Sequence, residues 1–233
     1  MDWDLLDFHP LAKVKPSKVD QAARIRFLSD EEERRLREAL DAREARIRAA
    51  RMSGNAWRRT RGYAERAEIE VDAFADYLKP LVLLALNTGL RRGELLQLTW
   101  VDIDLERRML TVRGEGAKSG RTRYVPLNVE ALAVLRGWKG NAGLEAGTAF
   151  TRHGADLASV RKSWAGLLEA AKIEHFRFHD LRHSFASKLV MRNVSINTVR
   201  ELLGHSDLKM TMRYAHLSPD HKHAAVERLM EVA

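Results

Sequence analysis

Four separated stretches of this sequence hold side chains suited to handling a phosphate. Thr88-Gly89-Leu90-Arg91-Arg92-Gly93-Glu94-Leu95 offers Arg91, and Ala117-Lys118-Ser119-Gly120 offers Lys118. His179-Asp180-Leu181-Arg182-His183 offers His179 and Arg182. Leu202-Leu203-Gly204-His205-Ser206, followed by Thr211-Met212-Arg213-Tyr214-Ala215-His216, offers His205 and Tyr214. Attack on a phosphodiester adds negative charge to the non-bridging oxygens, and fixed cationic donors stabilise that charge more in the transition state than in the ground state. Arginine suits the task because its planar fork makes bidentate contacts and stays charged. Each such contact is worth about 2–4 kcal/mol by analogy with oxyanion-hole deletions. His179 and Arg182 stand three positions apart and so share a helix face. Glu94 is likewise three from Arg91, placed to orient that arginine rather than to touch substrate. A phenol of pKa ~10 such as Tyr214 attacks poorly at neutral pH unless positive charge or a base stands beside it.

In order and content these stretches resemble the signature of the tyrosine recombinases of the phage-integrase type. The resemblance covers roughly residues 29–233. Any one stretch alone is a weak signal; four in register are a strong one. The resemblance implies the catalytic-core fold of DNA breaking-rejoining enzymes, with Arg91, Lys118, His179, Arg182, His205 and Tyr214 as the catalytic set. It makes Tyr214 the nucleophile that becomes joined to a 3′-phosphate, and Lys118 the general acid that protonates the departing 5′ oxygen. Because the bond energy is kept in the covalent adduct, it implies no cofactor, neither metal nor ATP. It also implies double-stranded DNA as partner, a homotetramer assembled on that DNA, and accessory DNA-bending proteins. Family members carry an N-terminal core-binding domain, so residues 1–28 are expected to be a linker or the remnant of such a domain, and 29–233 the catalytic domain. A cytoplasmic enzyme of prokaryotic, phage or mobile-element origin is the corresponding expectation.

The elements that must position these groups can be read from patterning. The 233 residues are 45% hydrophobic and 31% charged, enough apolar content for a core. Forty Lys+Arg against 32 Asp+Glu give a formal charge of +8, which favours a polyanionic partner, although a solubility surplus would look the same. Cysteine is absent, which removes disulfides, thiolate metal sites and a cysteine nucleophile. The longest apolar run, Leu81 to Leu86, is far too short to span a bilayer.

Ser29-Asp30-Glu31-Glu32 predicts a capped helix start, and residues 52–64, with Ser53-Gly54-Asn55 and several arginines, predict a mobile basic loop. Helical spacing resumes at Ile69, Phe74 and Leu78, with Pro80 in the first turn of a helix ending at Thr88-Gly89, and Arg91 to Leu98 forming the next. Two strands, 109–113 and 121–127, flank a Gly-rich turn that carries Lys118. Helices are then expected from Asn128 to about Lys139, from Asp156 to about Lys172 and from His179 to Arg192. Ser195 and Gly204 bracket another, and Ser218-Pro219 starts a last one whose stripe of Ala224, Val226, Leu229 and Met230 would dock in cis or in trans. The fold class is mainly α with a small antiparallel sheet.

Three other readings compete. A non-catalytic helix-turn-helix regulator would explain the basic charge and the helix–Gly–helix pattern of 195–215, but not the catalytic set. His175, His179 and His183 recur at spacing four, yet no carboxylate stands at H-E-x-x-H spacing, which disfavours a metal site. Residues 114–120 fail the phosphate-loop pattern, since Ser119 occupies the place of its second glycine. His183, His216, His221 and His223 are assigned to structure or surface.

Overall fold

The computed structural model describes residues 25–114, 122–142, 147–152, 155–157 and 159–218. The Lys118 turn and the stripe after Ser218 lie outside them. At the centre is α2 (Leu78–Thr88), whose residues Leu81 to Leu86 are all buried. A helix apolar on every side must be wrapped by others. Here α4 (Val129–Ala142) and α6 (Asp180–Met191) lie against it, and α1 (Asp30–Arg59) joins through Leu36, Ala39 and Leu40 while also meeting α5 (Arg161–Ala170). Pro80 falls in the first turn of α2, where its missing N–H leaves no bond unmade. Gly89 ends the helix at φ +62°, and a Cβ there would stand 2.4 Å from the Phe185 ring, so only glycine fits.

The sheet is antiparallel, in the order β1 (Ile103–Asp104), β2 (Met109–Val112), β3 (Arg123–Pro126). Leu110 pairs with Val125 and Val112 with Arg123. The two-residue period turns Arg123 and Val125 to the same buried face, which sends a guanidinium inward. A second small ribbon joins β4 (Thr151–Arg152) to β5 (Ala155–Asp156).

Several local expectations fail for identifiable reasons. Residues 52–59 are helix, not loop. Asn55 bonds Arg66 twice, through both its amide oxygen and its amide nitrogen, while Arg48, Arg51 and Arg58 donate to the carbonyls of Glu70 and Ala73, of Ala67 and of Ala64. Side chains on one face of α1 thus staple a non-helical return segment, 60–77, and that segment is where helical spacing was expected from Ile69. Asp156 pairs in β5 rather than capping a helix, and α5 starts only at Arg161. Beyond α3 (Arg92–Leu96) the chain turns through a 3-10 helix, Trp100–Asp102. His175 sits at φ +52° ahead of α6, so the three histidines do not share one helix.

A smaller core gathers α6, α7 (Ile196–Leu203) and the chain beyond. Ala186, Val190, Val199, Leu203 and the ring of Tyr214 form it, with α8 (Lys209–Met212) and a 3-10 turn, Ala215–Leu217, on either side of the tyrosine. α8 is four residues long, too short to serve as the second helix of a helix-turn-helix reader.

Candidate active site

Arg91 is the residue from which α3 starts, and its backbone N–H donates to Glu94 Oε2 at 2.7 Å while its Nη1 donates to Oε1 at 2.9 Å. The same carboxylate accepts a fork from Arg123, Nη1 at 2.9 Å and Nη2 at 2.7 Å. Burial alone would raise the Glu94 pKa, but the bond and charge of Arg123, with Arg91 behind it, hold it down at about 2. Arg123 Nε also donates to the Leu202 carbonyl at 3.0 Å. One arginine therefore ties the sheet to α3 and to the end of α7. Gly204 follows at φ +63°, and a Cβ on it would meet Arg123 Cδ at 2.8 Å.

Arg182, only 2% exposed, donates Nη1 to Gly89 O at 2.8 Å and Nη2 to Leu203 O at 2.6 Å. It satisfies the carbonyl ends of α2 and α7, where the helix dipoles favour a cation. Burial first, and the charge of Arg91 next, push its pKa down to about 9, which leaves it charged at neutral pH. Two of its five N–H groups serve these carbonyls, and the residue also lines the hollow beside it.

His205 follows Gly204 and its N–H closes α7 on the Arg200 carbonyl. Its Nδ1 lies 2.8 Å from the buried Thr211 hydroxyl, which fixes the ring and leaves Nε2 as its other polar atom. Burial, then Arg182 and Arg91, push the His205 pKa down to about 4. Burial likewise lowers His179, with Arg182 adding to the effect.

The Tyr214 hydroxyl lies 2.6 Å from His183 Nδ1. Burial, and then the neighbouring His179, push His183 down to about 4, so it is neutral at pH 7, and in the tautomer with a bare Nδ1 it accepts from the phenol. Tyr214 is 1% exposed, and burial raises its pKa against the pull of Arg182 and Arg213. His183, assigned from sequence to structure or surface, is thus in direct contact with the tyrosine. Its spacing of four from His179 on one helix was the available signal.

These groups converge. Arg91, His179, Arg182, His183, His205 and Tyr214, with Lys209, Met210 and Arg213 at the edge, line one hollow of about 280 Å³. Of the six residues expected from sequence, five meet there, and Lys118 falls outside the described residues. Arg123 and Thr211 went unnoticed in sequence, because only the strand register and the turn after α7 reveal their contacts. A larger cleft of about 560 Å³ between α1 and α5, lined by Arg43, Arg46, Lys162 and small residues, shares none of this chemistry.

A hollow lined by three guanidiniums, imidazoles and a phenol, carried by helices around a three-stranded sheet, is a cationic cradle suited to an anion beside a hydroxyl. The phage integrase family model matches residues 26–221, and the chain belongs to that family. It is 32% identical to the integrase of Salmonella phage P22 over 231 residues, covering 94% of this chain and 50% of that one. The chain thus spans about half the length of that curated relative. The catalytic domain of bacteriophage HP1 integrase superposes with a TM-score of 0.61 at 25% identity, covering 90% of this chain and 99% of that one. The Tn1549 transposon integrase, solved in complex with circular intermediate DNA, matches with a TM-score of 0.54 at 26% identity, over 64% of this chain and 59% of that one. Among the described residues no helix is long and apolar enough to cross a membrane.

Proposed function

We propose that residues 29–233 form the catalytic domain of a site-specific DNA recombinase that cuts and rejoins strands through a 3′-phosphotyrosyl intermediate. The observation that carries this is the convergence of Arg91, His179, Arg182, His205 and Tyr214, from three distant stretches of chain, on one hollow.

The free N–H groups of Arg91 and Arg182 take the non-bridging oxygens of the scissile phosphate, and His179 and His205 add hydrogen bonds as negative charge builds there. The Tyr214 oxygen forms a bond to phosphorus as the bond from phosphorus to the 5′ oxygen breaks. The phenolic proton passes to neutral His183 Nδ1, and Lys118 supplies a proton to the departing 5′ oxygen. Rejoining runs the same steps in reverse, with a 5′ hydroxyl as the attacking group. The full reaction takes place on double-stranded DNA in a tetramer, with accessory bending proteins, in the cytoplasm.

The test is incubation with a nicked duplex bearing the cognate site, in which the cut fragment diffuses away. A covalent protein–DNA band on a denaturing gel, absent for Tyr214→Phe, is the expected result. An undiminished band from Tyr214→Phe would overturn the assignment.

A further inference from the structure

The far end of α1 plays no part in the site just described. The last α1 residue in the main core is Leu40, and beyond Arg46 the helix continues for 13 residues, roughly 20 Å at 1.5 Å per residue. The only buried side chain on that stretch is Asn55, and the return segment 60–77 is what covers it. The result is a stapled arm that carries its own internal bonds, and only the end of its return segment, Phe74 and Tyr77, reaches the core.

Its tip has a distinctive surface. Trp57 (52% exposed) and Tyr63 (57%) stack with ring centroids 5.7 Å apart, and the Arg61 guanidinium lies over Trp57 at 4.3 Å. Among the described residues the Arg61 and Arg66 side chains have no hydrogen-bond or ion-pair partner, and Arg58 donates only to the Ala64 carbonyl. Arg59 is paired with Glu65. Three cations are therefore uncompensated within a few residues. A guanidinium resting on an aromatic face loses freedom but keeps its N–H edge free, the state best prepared for a bidentate phosphate contact. Uncompensated positive charge, more than apolar area, marks this surface, and that suits the backbone of a polyanion.

We infer that this tip is a second DNA contact, in which Arg58, Arg61 and Arg66 hold the phosphate backbone of duplex away from the cleavage site. The inference rests on the DNA-directed reading above, but its readout is binding, not cleavage. Each phosphate contact contributes about 0.9 to the slope of log affinity against log salt.

The triple variant Arg58→Gln/Arg61→Gln/Arg66→Gln leaves the aromatic pair and the staples of Arg48, Arg51 and Asn55 in place. Fluorescence anisotropy with a labelled duplex, titrated at salt from about 50 to 200 mM, should show a slope lower by roughly two to three and an affinity at least tenfold weaker. Arg61→Gln alone should lower the slope by roughly one. A control, Arg34→Gln/Arg107→Gln/Arg136→Gln, removes the same charge from exposed positions elsewhere and should change the slope less. An unmoved slope in the tip variant, or an equal fall in the control, overturns the inference and leaves the tip to a protein partner or to bulk charge. Failure of the recombinase reading looks different, as loss of the Tyr214-dependent band with binding intact. A parent protein that bound no duplex at all would overturn both.

Discussion

Arginine is used in two opposite ways in this molecule. Around the hollow, Arg123 and Arg182 are buried and every contact they make is fixed, to the Glu94 carboxylate or to the carbonyls of Gly89, Leu202 and Leu203. Along the arm, Arg48, Arg51 and Arg58 fasten one stretch of backbone to another, while Arg61 and Arg66 face solvent. The first group is held by protein so rigidly that little need reorganise when a phosphate arrives. In the second, the Arg61 and Arg66 side chains have no hydrogen-bond or ion-pair partner among the described residues and are free to reorient. Residue type alone does not distinguish them; the polarity of what surrounds each one does.

The sharpest way to test this contrast is Arg182→Lys. Lysine keeps the charge but cannot reach both the Gly89 and Leu203 carbonyls while still presenting a fork. Adduct formation on the nicked duplex should fall about 10²- to 10³-fold, the scale of losing one transition-state donor. A fall of less than about fivefold would mean that charge alone suffices.

Next in size is Arg123→Met. It leaves the buried Glu94 with Arg91 alone and should destabilise the fold by about 3–5 kcal/mol, read by urea unfolding. Adding Glu94→Gln should recover part of that loss, and no recovery would place the cost in packing instead.

A pH effect comes third. Folding holds His183 and His205 at about 4, below their ordinary 6.5, so the folded chain binds fewer protons than the unfolded one between those values. The stability they contribute is complete above pH 6.5 and is lost as pH falls toward about 4. Glu94, held at about 2, loses its share only below 4.5. Melting temperature should fall between pH 6.5 and 4, and His183→Gln/His205→Gln should flatten that limb. An unchanged limb would assign it to other groups.

The smallest effect belongs to the arm. Asn55→Ala removes two bonds to Arg66 and should cost about 1–3 kcal/mol locally. Hydrogen exchange at the Arg66 amide should accelerate while the melting temperature stays put. A lowered melting temperature would instead make the arm part of the core.

What the sequence disclosed follows the same division. The motifs around Arg91, His179, Arg182, His205 and Tyr214 were legible because a few fixed spacings on short helices decide them. Fold class, the β2–β3 ribbon, and the ends of α2 and α7 at glycine were legible from local pattern. The contact of His183 with Tyr214 was not, because it depends on how the chain turns between α7 and the tyrosine. Nor was Arg123, whose inward direction depends on register. The arm was misread because Ser53-Gly54-Asn55 looks like a loop locally, and the bonds that brace it run to residues 6 to 25 positions away. Asp156, a plausible cap, was taken by strand pairing.

The concealment of the Tyr214 ring has one more consequence. With 1% of the residue open to water, Tyr214 lines, among the described residues, a hollow that it shares with the guanidiniums of Arg91, Arg182 and Arg213. A neutral electrophile drifting in solution finds no welcome there, whereas a polyanion is drawn inward by the charge. Nitrating reagents should accordingly mark Tyr63 and Tyr124, which stand in the open, well before they mark Tyr214. The ring is thus sheathed, and the charge around the hollow it lines favours anions over neutral reagents.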